Sequence, residues 1–198
     1  MLTDFFVASP EELEAAFPTY LPVADEPVMR ERVNPFTQER VQVREWVPAP
    51  GAARRTPPAK KKGKSSGRGT GLTHDINALP HAEWKRVHVV ELATLWATWP
   101  GVDYLEAVDA LAQAKPPLVQ SDDRPESGLM QLPNAFVEAL AAMDDKTVKA
   151  KAKLWGKTEE WTAVGATAND LTEILSKLKE LAHTAITQRK NLYSWWSL

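Results

Sequence analysis

The chain has 198 residues, of which 43% are hydrophobic and 25% charged, with a formal net charge of -2; these values are ordinary for a globular protein of one domain. It contains no cysteine, which excludes disulfides, thiol nucleophiles and cysteine-ligated zinc. No apolar run approaches the roughly 18 residues of a transmembrane helix, and the first residues lack the basic start of a secretory signal, so we expect a cytoplasmic protein.

The first segment predicts a strand followed by a helix. The run "DFFVA" is short, aromatic and β-branched, and is bounded by Asp4 and Ser9. Ser9 can cap a helix, Pro10 suits its first position, and Glu12 stands three residues after the cap. We therefore expect a helix that begins at Pro10 and ends before Pro18.

The next segment predicts a β-hairpin with one charged face. Apolar and charged residues alternate over 28–33 and again over 41–47, and the Asn-Pro turn signal of "NPFTQE" lies between them.

Residues 48–71 predict a flexible basic insertion, because they hold Pro, Gly, Ala and Ser but no large apolar residue. Its seven basic residues are Arg54, Arg55, Lys60, Lys61, Lys62, Lys64 and Arg68. The whole chain has 24 basic residues, so 17 remain outside the insertion against 26 acidic ones, a net of about −9. A basic insertion in an acidic body is therefore expected.

From residue 72 onward the pattern is mostly helical. The stretch "HAEWKRVHVVELATLWATWPG" has roughly helical spacing, although "RVHVV" also fits a strand. "DYLEAVDALAQAK" predicts an amphipathic helix, and short strands are expected at 118–119 and 129–131 within a loop. "NAFVEALAAMD" and "DKTVKAKAKLWGKTEEW" predict two more helices, and residues 168–191 predict the longest one.

The last residues, "LYSWWSL", predict a strand that is apolar on both faces. Leu192, Trp196 and Leu198 fall on one face, and Tyr193 and Trp195 on the other. Such a strand is buried on both sides or has one face under a ligand. We expect it and "DFFVA" to lie centrally in one sheet. The predicted fold is a single α+β domain, with a modest sheet of the terminal strands and the hairpin packed against several helices.

The sequence offers no strong catalytic or metal-binding signature. Gly63-Lys64-Ser65 resembles the end of a phosphate-binding loop, but Pro58 stands where that loop needs glycine. His81 and His88 are seven residues apart, whereas helical metal sites favour spacings of three or four. We assign no catalytic residue, no metal site and no cofactor.

Asp122, Asp123 and Glu126 are our candidate partner-binding residues, because they lie in a polar loop that is unlikely to belong to the core. The basic insertion is a second candidate surface. Nucleic-acid binding there stays open, although it lacks aromatic residues for stacking and the acidic body would repel phosphate.

The chain resembles small bacterial immunity-type proteins, the binding partners of toxins. The resemblance is carried by the opening "FFVAS-PEELEAAF" and by "LMQLPNAFVEALAAMDD", "AKLWGKTEEW" and the closing "NLYSWWSL". It covers about residues 1–47 and 72–198, and its motifs are structural, so no functional residue is carried over. The resemblance implies a non-enzymatic protein that neutralises a partner by covering its active surface.

An acidic body suits a basic partner such as a toxin domain, because complementary fields speed association. We therefore favour a protein-binding function without catalysis or membrane contact. Two alternatives stay open: an enzyme with an unrecognised active site, and an accessory subunit of a larger bacterial assembly that docks through the basic insertion.

Overall fold

The computed structural model describes residues 2–33, 40–52, 75–120 and 127–197. The strands are β1 Leu2–Ala8, β2 Tyr20–Pro22, β3 Val28–Val33, β4 Arg40–Glu45, β5 His81–Lys85, β6 Leu118–Gln120, β7 Ser127–Gln131 and β8 Asn191–Ser197. The helices are α1 Pro10–Ala16, α2 Val89–Trp96, α3 Tyr104–Ala112, α4 Asn134–Ala141, α5 Asp145–Trp155, α6 Glu159–Val164 and α7 Ala168–Gln188. The α+β class predicted from the sequence is confirmed.

The main sheet has four antiparallel strands in the order β5-β1-β8-β7. Its two inner strands are the first and last of the chain, and they pair directly, with Phe6 opposite Tyr193 and Asp4 opposite Trp195. The prediction that these strands lie centrally in one sheet is therefore confirmed.

Each face of this sheet is buried in its own hydrophobic cluster. Phe5, Val7 and Leu192 point to the face covered by the long helix α7 and its neighbours. Phe6 and Tyr193 point to the opposite face, where α1 and the turn after it pack. There the ring centroids of Phe6 and Tyr193 lie 5.7 Å apart. Burial on both faces is what the two-sided apolar pattern requires.

Short local signals fix where the helices begin. The Ser9 backbone N–H donates to Glu12 Oε2 at 2.8 Å, and the Glu12 N–H donates to Ser9 Oγ at 3.3 Å, which is the predicted capping box of α1. Thr167 and Asp170 make the same reciprocal arrangement at the start of α7.

Two helical predictions are corrected. "HAEWK" forms the edge strand β5, because its exposure alternates with a period of two and it pairs with β1. His88 instead precedes α2 as its N-cap, so His81 and His88 do not share a helix face. The segment after Asp144 forms two helices rather than one, since the chain leaves α5 at Gly156 and restarts at Thr158.

The predicted hairpin is present as β3 and β4, which pair in register from Val28–Glu45 to Val33–Arg40. Contrary to the prediction that it shares a sheet with the terminal strands, it forms a two-stranded sheet of its own. We call these paired strands the arm. At its base the Ala24 N–H donates to the Val47 carbonyl at 3.0 Å, and the Ala49 N–H to the Pro22 carbonyl at 2.8 Å. The start of the predicted insertion is thus hydrogen-bonded, and residues 53–74 lie outside the described residues.

Candidate binding cleft

A cleft of about 480 Å³ lies between the arm and the body of the protein. Large apolar side chains line this cleft: Trp46 after the arm, Leu111 at the end of α3, Leu118 in β6, and Met130 and Trp196 from the main sheet. The cleft wall is therefore mostly apolar and contains two indole rings.

One face of the arm looks toward the cleft. Arg30 and Glu45 line it, and their Nε and Oε2 atoms lie 3.5 Å apart. Val28 is opposite Glu45 in the register, so it shares that face. Met29 lies on the outer face, where it is opposite Arg44 and 58% exposed. The arm thus presents one face to the cleft and the other to solvent.

Trp196 is held in the cleft wall by a glycine. Gly128 in β7 is its direct partner across the sheet. A Cβ on Gly128 would lie 2.4 Å from Cε2 and Cζ2 of the Trp196 ring, which is far inside contact distance. The absence of a side chain at residue 128 lets the indole pack against the backbone of β7.

A chain of buried and half-buried hydrogen bonds runs through the wall of the cleft. The Trp195 Nε1–H donates to the Tyr20 hydroxyl at 3.0 Å. That hydroxyl lies 2.8 Å from Ser127 Oγ, which donates to Gln120 Oε1 at 3.1 Å. Since Ser127 uses its proton on Gln120, the Tyr20 O–H is the donor to Ser127. The chain joins β2, β6, β7 and β8, and its polar atoms satisfy one another.

The predicted partner-binding residues Asp122, Asp123 and Glu126 lie outside the described residues. The described residues on either side, Gln120 and Ser127, both line the cleft. The basic residues singled out in the insertion also lie outside the described residues: Arg54, Arg55, Lys60, Lys61, Lys62, Lys64 and Arg68. Both proposals from the sequence stay predictions.

The described ranges contain no group of three or more His, Asp or Glu side chains placed to hold a metal ion. His88 Nδ1 lies 2.9 Å from the Thr3 hydroxyl, and burial lowers the pKa of His88. Within those same ranges no helix is long and apolar enough to cross a membrane.

A buried carboxylate in the sheet was missed by the sequence reasoning. Asp4 is 5% exposed and lies opposite Glu83 of the edge strand β5. Burial, and then the charge of Glu83, raise the pKa of Asp4 to about 6, against the opposing effect of His81. The sequence pattern puts Asp4 at the boundary of the strand, whereas β1 begins at Leu2 and includes Asp4. Asp4 does not line the cleft.

The cleft itself was also missed, because its residues come from separated segments that range from Tyr20 to Trp196. The high tryptophan content, eight residues in 198, was the available signal, since it indicated an aromatic-rich core or binding face. Comparison with protein-family models, curated proteins and solved structures found no match to this chain.

Proposed function

We propose that this protein binds another protein without catalysing a reaction, in the manner of a bacterial cytoplasmic immunity or inhibitor protein that neutralises a toxin-like partner. The observation that carries the proposal is the arm, which stands over an apolar cleft lined by two tryptophans. The arm and cleft together offer a partner both an extended surface and a recess.

Among the residues that the structure describes, the arm has little of the cover that a two-stranded sheet normally needs. In the described part of the chain, neither of its strands packs extensively against another helix or strand. A hairpin of two strands is marginally stable in water, and a third strand or a packed surface stabilises it. A bound protein would supply that surface.

The cleft has the composition of a protein-binding recess. Trp46, Trp196 and Met130 line it, and aromatic residues and methionine are enriched in the cores of protein interfaces. A partner side chain that enters such a recess is desolvated on all sides, which is where binding energy concentrates.

One observation favours a second candidate, an enzyme or a protein that binds a small ligand. The cleft volume of about 480 Å³ falls within the range of roughly 300–1,000 Å³ that is typical of small-molecule sites. This candidate would be favoured if a metabolite bound the purified protein and no protein partner displaced it.

The test begins with affinity purification of the tagged full chain from its native cells, followed by co-expression of the captured partner. We expect one stoichiometric partner, and we expect this chain to suppress the partner's activity or toxicity. Trp46→Ala, which removes a cleft wall, should weaken binding about tenfold or more.

Leu154→Ala is the matched control, because Leu154 is 48% exposed on α5 and does not line the cleft. It should bind as the wild type does. A partner whose activity is unchanged by this chain would overturn the neutralising function. If Trp46→Ala and Leu154→Ala bound the partner equally well, the cleft would not be part of the interface.

A further inference from the structure

We propose that a second surface, formed by α3 and the outer face of the arm, docks a basic protein partner through apolar anchors. We call it the α3–arm stripe, and it runs through Leu105, Asp109, Gln113, Arg44 and Met29. The proposal rests on the proposed function and adds to it the chemistry of the partner and the place where it binds.

The two ends of the stripe are the most exposed large apolar side chains in the ranges that the structure describes. Leu105 is 68% exposed and Met29 is 58% exposed. Asp109, Gln113 and Arg44 lie between these two side chains, so Leu105 and Met29 are two apolar anchors at the ends of one polar surface and not a contiguous apolar patch.

Hydrogen bonds show that the surface is continuous. Arg44 Nη1 donates to Gln113 Oε1 at 3.1 Å, and Gln113 Nε2 donates to Asp109 Oδ1 at 3.0 Å. Leu105, Asp109 and Gln113 are spaced by four residues, so they follow one line along the helix and its C-cap. At the other end Met29 is the cross-strand neighbour of Arg44.

The charge of the stripe selects the partner. Asp103, Glu106 and Asp109 are exposed, and no Lys or Arg occurs from residue 103 to residue 114. Across the described ranges no ion pair joins these three carboxylates to a cation, and the next basic residue, Lys115, lies 3.1 Å from Asp25. Among the described residues of this surface, three carboxylates stand against one cation, Arg44, so the surface is net negative and complements one rich in Lys and Arg.

These observations commit the stripe to one occupant: a protein with a positively charged surface and recesses that accept Leu105 and Met29. Nucleic acid is disfavoured because its phosphates would face the same carboxylates. Met29 points away from the cleft, so the stripe extends the contact area to the side of the arm that the cleft does not use.

The first experiment places the photo-crosslinking residue p-benzoylphenylalanine at position 105, 29, 46 or 186 of the full chain in native extract. Ile186 is the control, because it is 48% exposed on α7 and lies away from the stripe. We expect positions 105 and 29 to capture the same basic protein, with a yield that falls severalfold between low salt and 0.5 M salt. Position 186 should not capture it.

The second experiment measures association of the captured protein with charge variants. Glu106→Lys should slow association about tenfold at low salt and leave dissociation nearly unchanged, while Leu105→Ala should speed dissociation. Glu173→Lys makes the same change of net charge on α7, where Glu173 is exposed. It should have a much smaller effect.

The proposal for the stripe would be overturned if the crosslinks captured an acidic protein or nucleic acid. It would also be overturned if Glu106→Lys and Glu173→Lys had equal effects on association. If position 46 captures a partner and positions 105 and 29 do not, the stripe is wrong and the proposed function stands. If no position captures a protein, both are wrong.

Discussion

The pair β1–β8 and the arm β3–β4 are both antiparallel and similar in length, with strands of seven and six residues. The first pair is buried on both faces, whereas the arm is exposed along most of its described length. Their sequences differ accordingly: aromatic residues occupy both faces of β1 and β8, but charged and apolar residues mix in the arm. Strand pairing thus gives both regions the same antiparallel shape. The helices and side chains packed on β1–β8 make that pair contribute more to the stability of the fold than the arm does.

The largest expected effect comes from removing residues 191–198. The deletion takes away three buried side chains, Leu192, Tyr193 and Trp195, each of which contributes about 1.5–3 kcal/mol. Their sum is comparable to the whole stability of a domain, about 5–15 kcal/mol. We expect loss of the cooperative unfolding transition, measured by circular dichroism.

The matched control replaces the arm strands, residues 28–45, by a short Gly-Ser linker. Because the arm contributes little to either hydrophobic cluster, that variant should keep a cooperative transition. A C-terminal truncation that still unfolds cooperatively would contradict the contrast between the two regions.

Asp4→Asn should have the next largest effect on the free energy of unfolding, and it should stabilise the protein. The rise in the pKa of Asp4 from 3.8 to about 6 corresponds to a penalty of about 3 kcal/mol for keeping the charged form folded. Between those pH values the folded protein holds a proton that the unfolded chain has lost, so stability falls as pH rises through this window.

Asp4→Asn should therefore stabilise the protein at pH 7.5 by up to about 3 kcal/mol and much less at pH 4. Denaturant unfolding at the two pH values measures the difference. Glu83→Gln is the control for the cause: it should stabilise less, because burial is the larger contribution to the shifted pKa. Equal stabilisation by Asp4→Asn at both pH values would show that Asp4 does not carry this pH dependence.

Gly128→Ala should cost about 1–3 kcal/mol, because the new Cβ forces the Trp196 ring to move. Thermal unfolding gives the size of the loss. In the double variant with Trp196→Val the costs should be less than additive, since the clash is then relieved. Additive costs would mean that the indole does not depend on the glycine.

The smallest effect is expected in the arm. Arg40 Nη1 lies 2.8 Å from Glu31 Oε1, but these side chains are 77% and 48% exposed. Such an ion pair contributes less than about 1 kcal/mol. A double-mutant cycle of Arg40→Ala and Glu31→Ala in denaturant unfolding should give a coupling energy below that value, and a larger one would show that the arm is more strongly stabilised than its exposure indicates.

The parts of the fold that could be predicted are those with local signals. Ser9 and Glu12 mark the start of α1, and the two-sided apolar pattern of "LYSWWSL" places β8 in the middle of a sheet. "HAEWK" was misassigned because it was grouped with the roughly helical spacing of the longer stretch that follows, although the alternation of Ala82 and Trp84 with polar residues has the period of a strand. The cleft had no local signal, since Trp46 and Trp196 are brought together by the fold.

The direct pairing of β1 with β8 has a consequence for biosynthesis. Leu2 lies opposite Ser197, so the inner pair of the sheet joins segments about 190 residues apart. At roughly 5–20 residues per second, β1 leaves the ribosome about 10 to 40 s before its partner exists. During that interval Phe5 and Phe6 cannot be buried against β8. The main sheet is thus completed only once β8 has been synthesised, and until then the aromatic first strand lacks its inner partner.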